Sequence, residues 1–219
     1  SLYVPNVATS SGGMVGFFDW GPAEEVTLVD TERTLVSKFG KPSDTNFFDW
    51  FPAFNFLAYS NNLQLVRVVD TAVALNSAAG ESSTTAGEYD VANSVGLLIK
   101  NRNSFDDLSA TIGAGQVAFY GRYAGIRGNN IKVEAMDAAS YSTATNKGAF
   151  SYAPTGDELF VAVLFAEDGI NFEVVERHYG SMDTTAIDAS TSGSAFIGNL
   201  INEGSDYVYI NTASLFTGT

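Results

Sequence analysis

The segment from Thr45 to Tyr59 constrains the fold more than any other part of the sequence, because seven of its fifteen residues are aromatic. Four of its apolar residues recur at the i, i+4, i+7 and i+11 spacing of one helical face: Phe47, Phe51, Phe54 and Ala58. This spacing predicts an α-helix with an apolar stripe, which needs a sheet or a second helix to pack against. Pro52 is expected to kink the helix.

Short strands are predicted on both sides of the aromatic helix. Met14 to Asp19 is an apolar run, and the Gly21-Pro22 turn separates it from a second run, Val26 to Val29. Leu63 to Val69 is predicted to be a largely buried strand that carries one charge, Arg67. Two strands therefore precede the helices of this region and one strand follows them.

Another helix is predicted between the second strand and the aromatic helix. Thr31 is a candidate N-cap for three apolar residues at helical spacing, Leu35, Val36 and Phe39. Lys38, Gly40 and Pro42 are expected to end this helix, since glycine adopts the backbone conformations that terminate helices and proline cannot continue one. The predicted order up to Asp70 is strand, strand, helix, helix, strand.

The character of the sequence changes in residues 74–115. Ala78 to Gly87 is rich in small residues and has no large apolar one, so it is predicted to be a loop and the first site of proteolytic cleavage. A short strand is expected at Val95 to Ile99, and Ser104 is expected to cap a helical turn that reaches Ile112. This composition favours a small inserted, loop-rich segment.

Strand patterns resume in the second half of the chain. The predicted strands are Gln116 to Tyr123, a half-exposed run at Ile131, Val133 and Ala135, a central run from Leu159 to Phe165, the run Phe172 to Tyr179 and the short run Tyr207 to Ile210. Asp168-Gly169 predicts a hairpin turn. Ala195 to Ile201 predicts a short helix that Gly204 ends.

These patterns predict an α+β fold, in which a mixed β-sheet or sandwich core is flanked by short helices. We expect one discontinuous main domain, residues 1–73 and 116–219, around the insertion at residues 74–115. The chain has 219 residues, of which 45% are hydrophobic and 16% charged. It is therefore long enough for one sizeable core or two small ones.

The sequence contains 25 acidic and 11 basic residues, for a net charge of −14. Such a surface repels phosphate backbones and anionic lipid headgroups, so direct binding to nucleic acid or to membranes is not expected. Cysteine is absent, which excludes disulfides and thiolate metal sites. No apolar run approaches the roughly 18 residues of a transmembrane helix, and the first residues lack the pattern of a signal peptide.

The residues that carry chemistry show no catalytic or ligand-binding spacing. The only histidine, His178, lies in a predicted strand, and no Gly-x-Ser-x-Gly turn accompanies it. Gly40-Lys41 lacks the upstream glycine of a phosphate-binding loop, since Leu35 stands there. Gly113-Ala114-Gly115 lacks the third glycine of a dinucleotide-binding turn. We therefore assign no catalytic residue, cofactor-binding residue, metal ligand or cofactor.

Two features leave alternatives open. The acidic pairs Glu24-Glu25 and Asp106-Asp107 would suit a carboxylate-pair hydrolase or a calcium site. Neither pair lies in an Asp-x-Asp-x-Asp-Gly loop, so the simpler interpretation is that both are solvated surface residues. The aromatic residues of Thr45 to Tyr59 would suit stacking on bases or sugars, but their helical spacing favours burial, with one or two rings left for contacts. A carbohydrate-binding or adhesion module is the alternative function.

Five motifs occur in this order: Gly16-Phe17-Phe18-Asp19-Trp20-Gly21-Pro22, Phe39-Gly40-Lys41-Pro42, Asn55-Phe56-Leu57-Ala58-Tyr59, Leu65-Val66-Arg67-Val68-Val69-Asp70 and Tyr120-Gly121-Arg122-Tyr123-Ala124-Gly125-Ile126-Arg127-Gly128-Asn129. Their order and spacing resemble contractile phage tail sheath proteins, although Ala124 stands where the family usually has proline. The resemblance is strong over Gly12 to Asp70 and Gln116 to Asp137 and fainter over Phe150 to Ile210. It lapses from Thr71 to Gly115, where the family inserts outward-facing domains.

The resemblance implies a structural role in a virion and no enzymatic activity. Sheath subunits of the family form hexameric rings that stack helically around the tail tube, and the sheath contracts to drive the tube through the host envelope. The family continues into a C-terminal domain that contacts the tube and the baseplate, whereas this sequence begins at Ser1 and stops at Thr219. The resemblance therefore implies an outer fragment, which we expect to be monomeric, of a protein assembled in the bacterial cytoplasm.

Overall fold

The computed structural model describes residues 10–71, 74, 76–79, 97–109 and 118–212. These ranges contain four α-helices and nine β-strands, which confirms the predicted α+β class. The described strands form three separate three-stranded sheets. The chain divides into two compact units: the described part of Ser1–Ala74 with Lys100–Arg102, and the described part of Leu75–Ile99 and Asn103–Thr219.

The boundary between these units differs from the predicted division into residues 1–73 with 116–219 and residues 74–115. The elements that precede Ala74 form a sheet and two helices with their own core, so they cluster apart from the later strands. That residues 74–115 are an insertion stays a prediction, and most of Ala78 to Gly87 lies outside the described residues.

The first unit has the predicted order of elements: β1 (Gly12–Phe17), β2 (Val26–Val29), α1 (Glu32–Phe39), α2 (Phe47–Leu57) and β3 (Leu63–Val68). β3 lies in the centre of its sheet, parallel to β1 and antiparallel to β2. β1 begins and ends two residues earlier than predicted. Asp19 belongs to the turn that follows β1, because its carboxylate accepts hydrogen bonds from Ser43, Thr45 and Asn46 at 2.6 to 3.1 Å.

The predicted ends of α1 are confirmed. The Thr31 hydroxyl accepts a hydrogen bond from the Thr34 N–H at 3.2 Å, which satisfies one of the free donors at the start of the helix. Gly40 ends the helix at a φ of 85°, and its N–H donates to the Val36 carbonyl at 2.9 Å. Local residue chemistry therefore decides where this helix begins and ends.

α2 buries a different side from the one that its spacing predicts. Trp50 and Ala53 are buried, and the Trp50 indole N–H donates to the Gly40 carbonyl at 3.0 Å. They join a core formed by Phe18, Val29, Leu35, Phe39, Leu63 and Leu65. Three residues of the predicted stripe are exposed instead, namely Phe47, Phe51 and Ala58. The spacing could not choose the buried side because α2 is apolar nearly all round.

A buried arginine holds the turn between β1 and β2. The Arg67 side chain donates from Nε to the Phe18 carbonyl at 2.7 Å and from Nη1 to the Gly21 carbonyl at 2.8 Å. Gly21 has a φ of 101°, and a Cβ there would lie 2.5 Å from the Lys38 carbonyl oxygen. The one charge predicted in this strand therefore has a structural role.

The second unit contains most of α3 and the remaining elements: β4 (Ala78–Ala79), α3 (Arg102–Ser109), β5 (Phe119–Gly121), β6 (Ile131–Met136), β7 (Glu158–Phe165), β8 (Glu173–Ser181), α4 (Ile197–Gly204) and β9 (Val208–Ile210). Its strands pair in the orders β4-β5-β9 and β6-β7-β8. The Asp168-Gly169 hairpin is confirmed, since β7 and β8 are antiparallel neighbours and Gly169 has a φ of 72°.

β7 is the predicted central strand, and both of its faces are covered. Leu159, Val161 and Val163 pack against residues of β5, α4 and β9. Phe160, Ala162 and Leu164 belong to a second cluster, which includes Met136 and Phe150. The sheet of β6, β7 and β8 is therefore the middle layer of three.

Several predicted elements are shorter or shifted. α3 begins at Arg102, so Ser104 lies inside the helix and is not its N-cap. Residues 97–99 of the predicted strand at Val95 to Ile99 have no regular structure, and the rest of that strand lies outside the described residues. β5 spans Phe119–Gly121, and Gln116 and Val117 of the predicted strand lie outside the described residues. Within the described ranges, no helix is long and apolar enough to cross a membrane.

Candidate interaction surface

The lone histidine is part of a hydrogen-bonded cluster that has no triad geometry. His178 Nε2 lies 3.0 Å from the Glu176 carboxylate, two residues away on β8. Ser205 Oγ donates to the same carboxylate at 2.6 Å, and the Asp206 N–H donates to it at 2.7 Å. Serine and histidine thus both bind the glutamate, and the arrangement ties the segment after α4 to β8.

Burial by itself would raise the pKa of Glu176. Hydrogen bonds from His178, Ser205 and the Asp206 backbone outweigh this effect and hold the pKa below its usual range. The ionised carboxylate is therefore the form that stabilises this corner of the second unit.

The acidic pairs considered from the sequence lie on the surface, and Gly113-Ala114-Gly115 lies outside the described residues. Glu24 is exposed and forms an ion pair with Lys100 at 2.8 Å. Asp106 and Asp107 are exposed on α3. Gly40-Lys41 is the end of α1, as interpreted from the sequence. Among the residues that the structure describes, no group of three or more His, Asp or Glu is placed to hold a metal ion.

Large apolar side chains cover the outer face of the sheet in the first unit. Val15 and Phe17 of β1 and Val26 and Leu28 of β2 are 57 to 66% exposed. The register places Val66 of β3 beside Val15 and Val26, while Val68 lies beside Phe17. Together these six residues form what we call the sheet face. The helices of the unit pack on the opposite face, where Leu63, Leu65 and Val29 are buried.

Charge is absent from the sheet face. The remaining residues that point to the same side of the described strands are Gly13 and Gln64, since side chains alternate along a strand. The described residues of the first unit carry eight acidic and six basic side chains, so most of the net charge of −14 belongs to other residues. Electrostatic repulsion therefore opposes contacts at this surface less than elsewhere.

A second apolar surface lies on α2 and on the turn that follows it. Phe47, Phe48, Phe51 and Tyr59 are 40 to 89% exposed, and we call them the helix face. The Phe47 and Phe48 ring centroids are 3.9 Å apart. The only charged residue of α2, Asp49, accepts a hydrogen bond from the Phe17 N–H at 2.8 Å and so caps the edge of β1.

Sequence reasoning placed these aromatic residues mainly in the core, with one or two rings left for contacts. Four of the seven rings are exposed, so burial was the wrong expectation for Phe47, Phe48, Phe51 and Tyr59. The available signal was that α2 has only two polar residues, Asp49 and Asn55, whereas a solvent-exposed helix normally has a polar side. The sheet face had a similar signal, since β1 and β2 lack the alternation of a half-solvated strand.

Comparisons with known proteins point to one family. Residues 12–68 match the model of the tail sheath protein Gp18 domain III N-terminal region. The tail sheath protein of Salmonella phage ViI is 29% identical over 202 residues, which are 92% of this chain and 29% of that protein. The tail sheath protein of Vibrio phage KVP40 is 36% identical over 129 residues, which are 58% of this chain and 18% of that protein.

A third relative is the tail sheath protein of Enterobacteria phage T4, which is 39% identical over 87 residues, or 40% of this chain and 12% of that protein. The chain spans less than a third of the length of these curated relatives. The matches confirm the resemblance to contractile phage tail sheath proteins, and they give no support to a carbohydrate-binding or adhesion module.

Proposed function

We propose that this chain is a structural part of the sheath subunit of a contractile phage tail, and hence of a virion. The observation that carries the proposal is the match of residues 12–68 to a tail sheath domain, because these residues contain β1, β2, α1, α2 and β3 of the first unit. The similarity to the ViI sheath protein extends over most of the remaining chain.

The proposed role is mechanical and not enzymatic. A sheath that contracts without consuming a nucleotide holds its energy in a metastable arrangement of subunits. Each subunit then moves largely as a rigid body, and the two states differ at the interfaces between subunits. Interfaces, and not catalytic groups, are the features that such a protein needs.

The proposed partners are other sheath subunits, arranged in hexameric rings that form a helical polymer. The helix face suits such a contact because exposed aromatic residues are the side chains that anchor protein interfaces. Its four rings are uncharged, three of them lie on α2, and Tyr59 follows in the turn after the helix. Contacts with the tail tube and the baseplate would come from a domain beyond Thr219, and assembly would take place in the host cytoplasm.

The isolated 219-residue chain should be monomeric. With on the order of 150 to 250 Å² per fully exposed aromatic ring, the helix face presents roughly 500 Å². A stable interface buries about 800 Å² on each partner, and the net charge of −14 opposes association. Sedimentation velocity should give the mass of one chain, and long tubes formed by this chain alone would contradict our placement of the contacts.

The helix face can be tested in the longer polypeptide that contains this sequence. Phe48→Ser combined with Phe51→Ser should leave folding intact and reduce the yield of sheath tubes in electron micrographs by about tenfold, since hot-spot residues carry most of an interface's energy. Ile170→Ser is the control, because Ile170 is an apolar residue of the second unit that is as exposed as Phe48. Normal tubes from the double variant would exclude the helix face as a contact, and a longer polypeptide that forms no tubes would refute the proposed function.

A further inference from the structure

The connection between α4 and β9, residues 205–207, is attached to β8 through one carboxylate, and we call it the α4–β9 corner. Glu176 Oε2 accepts a hydrogen bond from the Ser205 hydroxyl at 2.6 Å, and Oε1 accepts one from the Asp206 N–H at 2.7 Å. The Ser205 hydroxyl oxygen in turn accepts from the N–H groups of Tyr207 and Val208 at 3.1 and 3.0 Å. A chain of hydrogen bonds therefore runs from the carboxylate to the first residue of β9.

The same carboxylate is shared with the lone histidine. His178 Nε2 lies 3.0 Å from Glu176 Oε2, and the two side chains are only 13 and 15% exposed. An imidazole takes up a proton at a higher pH than a carboxylate does. As the pH falls, the pair therefore becomes an ion pair first. When the carboxylate is then neutralised, an imidazolium with little access to water loses its counter-charge.

We infer that Glu176 and His178 form an acid-sensitive latch, which releases the α4–β9 corner locally when the carboxylate takes up a proton. The release is local because β7, which lies beside the pair, is held by apolar burial that does not titrate: Val161 and Val163, opposite His178 and Glu176, are fully buried. The inference goes beyond the proposed function and does not depend on it, since it concerns contacts within the second unit alone.

The other charges around the pair do not replace the carboxylate. Among the described residues, the charged and titratable groups of the elements packed against it are Asp206 and Tyr207 of the corner, Arg122 after β5, Glu203 of α4, Glu173 and Arg177 of β8 itself, and Arg127 and Glu167, which act on Tyr207. Asp206 and Glu203 are exposed, so water screens them. Arg122 stays charged and donates to a backbone carbonyl of the corner. Glu176 is therefore the titrating group in direct contact with His178.

Two substitutions distinguish a latch from a contact that is only structural. Glu176→Gln keeps an oxygen that accepts hydrogen bonds but cannot balance a charge on His178. His178→Gln keeps a donor for the carboxylate but never carries a positive charge. The double variant has neither charge. Glu173→Gln, at an exposed position of the same strand, is the control.

Hydrogen exchange of single amides measures the opening of the corner directly. The rate of each amide in the 219-residue chain is followed by NMR from about pH 3 to about pH 8, across the range in which carboxylates and imidazoles titrate. Division by the intrinsic rate at each pH gives the fraction of molecules in which that amide is open. Asp206 and Val208 report on the corner, and Val163 reports on β7.

In the unaltered chain, the open fraction at Asp206 and Val208 should rise at least about tenfold as the pH falls below about 4.3, with Val163 unchanged. Glu176→Gln should show the rise about two pH units higher, where an imidazole gains its proton. His178→Gln should reduce the rise to about threefold, because no uncompensated cation remains. The double variant should lose the pH dependence, and Glu173→Gln should match the unaltered chain.

Three results would overturn the inference. Equal opening of Glu176→Gln at every pH would mean that the carboxylate acts only as a hydrogen-bond acceptor. A rise at Val163 together with the corner would mean that acid unfolds the whole unit. An unchanged pH dependence in the double variant would assign the response to another group. If Glu176→Gln does not fold, His178→Gln decides, since a rise equal to that of the unaltered chain would exclude the histidine.

Discussion

The β1-β3-β2 sheet of the first unit and the β6-β7-β8 sheet of the second are built from similar apolar strands but differ in how their faces are covered. In the second unit, β7 is buried on both faces, between the cluster that includes α4 and the cluster that includes Phe150. In the first unit, β3 has α1 and α2 on one face and only the half-buried Val66 and Val68 on the other. Among the described residues, both faces of the closed sheet are covered, whereas only one face of the open sheet is.

This difference shows where interaction surfaces can be sought in this chain. A sheet closed on both faces has used its apolar side chains for its own stability. An open sheet keeps side chains such as Phe17 and Leu28 available for another segment, at the cost of solubility. The match to the tail sheath family model lies within the first unit, although the similarity to the ViI tail sheath protein also extends over the second.

The comparison is tested most strongly by making the same substitution in both sheets. Phe160→Ala removes a fully buried ring from the closed sheet and should lower the unfolding free energy by about 3 to 5 kcal/mol. Phe17→Ala removes an exposed ring from the open sheet and should cost less than about 1 kcal/mol. Urea titrations followed by circular dichroism measure both, and equal losses would contradict the distinction between the two sheets.

A second pair of substitutions compares a glycine in the buried turn of the first unit with a glycine on the exposed side of its sheet. Gly21→Ala should cost about 2 to 3 kcal/mol, because alanine is strained at a φ of 101° and its Cβ would collide with the Lys38 carbonyl. Gly13→Ala is the control, since its Cβ would extend into open space on the side of the sheet face. Emission from Trp20 and Trp50, the only two tryptophans and both in this unit, reports the transition. If Gly21→Ala left the free energy of unfolding unchanged, the turn between β1 and β2 would tolerate a side chain at this position and the prediction would be wrong.

The third prediction concerns pH and the second unit. The pKa of Glu176 is lowered in the folded state, so its contribution to stability is fully present above the unfolded pKa of about 4.3 and is lost as the pH falls from there through the lower folded value. Glu176→Gln should cost about 1 to 2 kcal/mol at pH 7 and should flatten this acid dependence. Glu173→Gln, at an exposed position of the same strand, is the control. An unchanged pH profile in Glu176→Gln would rule out this carboxylate as the source.

The smallest expected effect is at the start of α1, in the single layer that covers the open sheet. Thr31→Ala removes the hydroxyl that caps the helix and should lower the unfolding free energy by about 1 kcal/mol. Thr31→Ser keeps a hydroxyl and should be nearly neutral. Hydrogen exchange resolved by peptide should show faster exchange in α1, with the strands of the second unit unchanged. Faster exchange in β7 as well would show that the two units unfold together.

Features with a local physical cause could be predicted from the sequence. Thr31 and Gly40 delimit α1 because a hydroxyl and a glycine satisfy the ends of a helix wherever it lies. Asp168-Gly169 forms a hairpin because the aspartate accepts backbone hydrogen bonds from Ile170 and Asn171 and Gly169 takes a positive φ. Ser104 shows the limit of this reasoning, since a good capping residue lies inside α3 when the helix begins earlier.

Which side of a helix or strand is buried depends on what packs against it, and this could not be predicted in the same way. α2 is apolar on several sides, so its spacing allowed the stripe of Phe47 and Phe51 as readily as the buried side of Trp50 and Ala53. The position of Gly40, whose carbonyl accepts the Trp50 indole hydrogen bond, helps to select the buried side. The buried side is therefore chosen by a contact between residues of different elements. The spacing of apolar residues along one helix carries no information about such a contact.

The sequence by itself determined the order of elements in Gly12 to Asp70, the family resemblance of that stretch and the central position of β7, because these depend on residue type and short-range spacing. Only the tertiary structure decided that the chain divides near Ala74, that Arg67 holds a buried turn and that the sheet face and the helix face are exposed. Burial is a property of what packs on a side chain, and apolar residues look the same in the sequence whether their covering layer is present in this chain or comes from elsewhere.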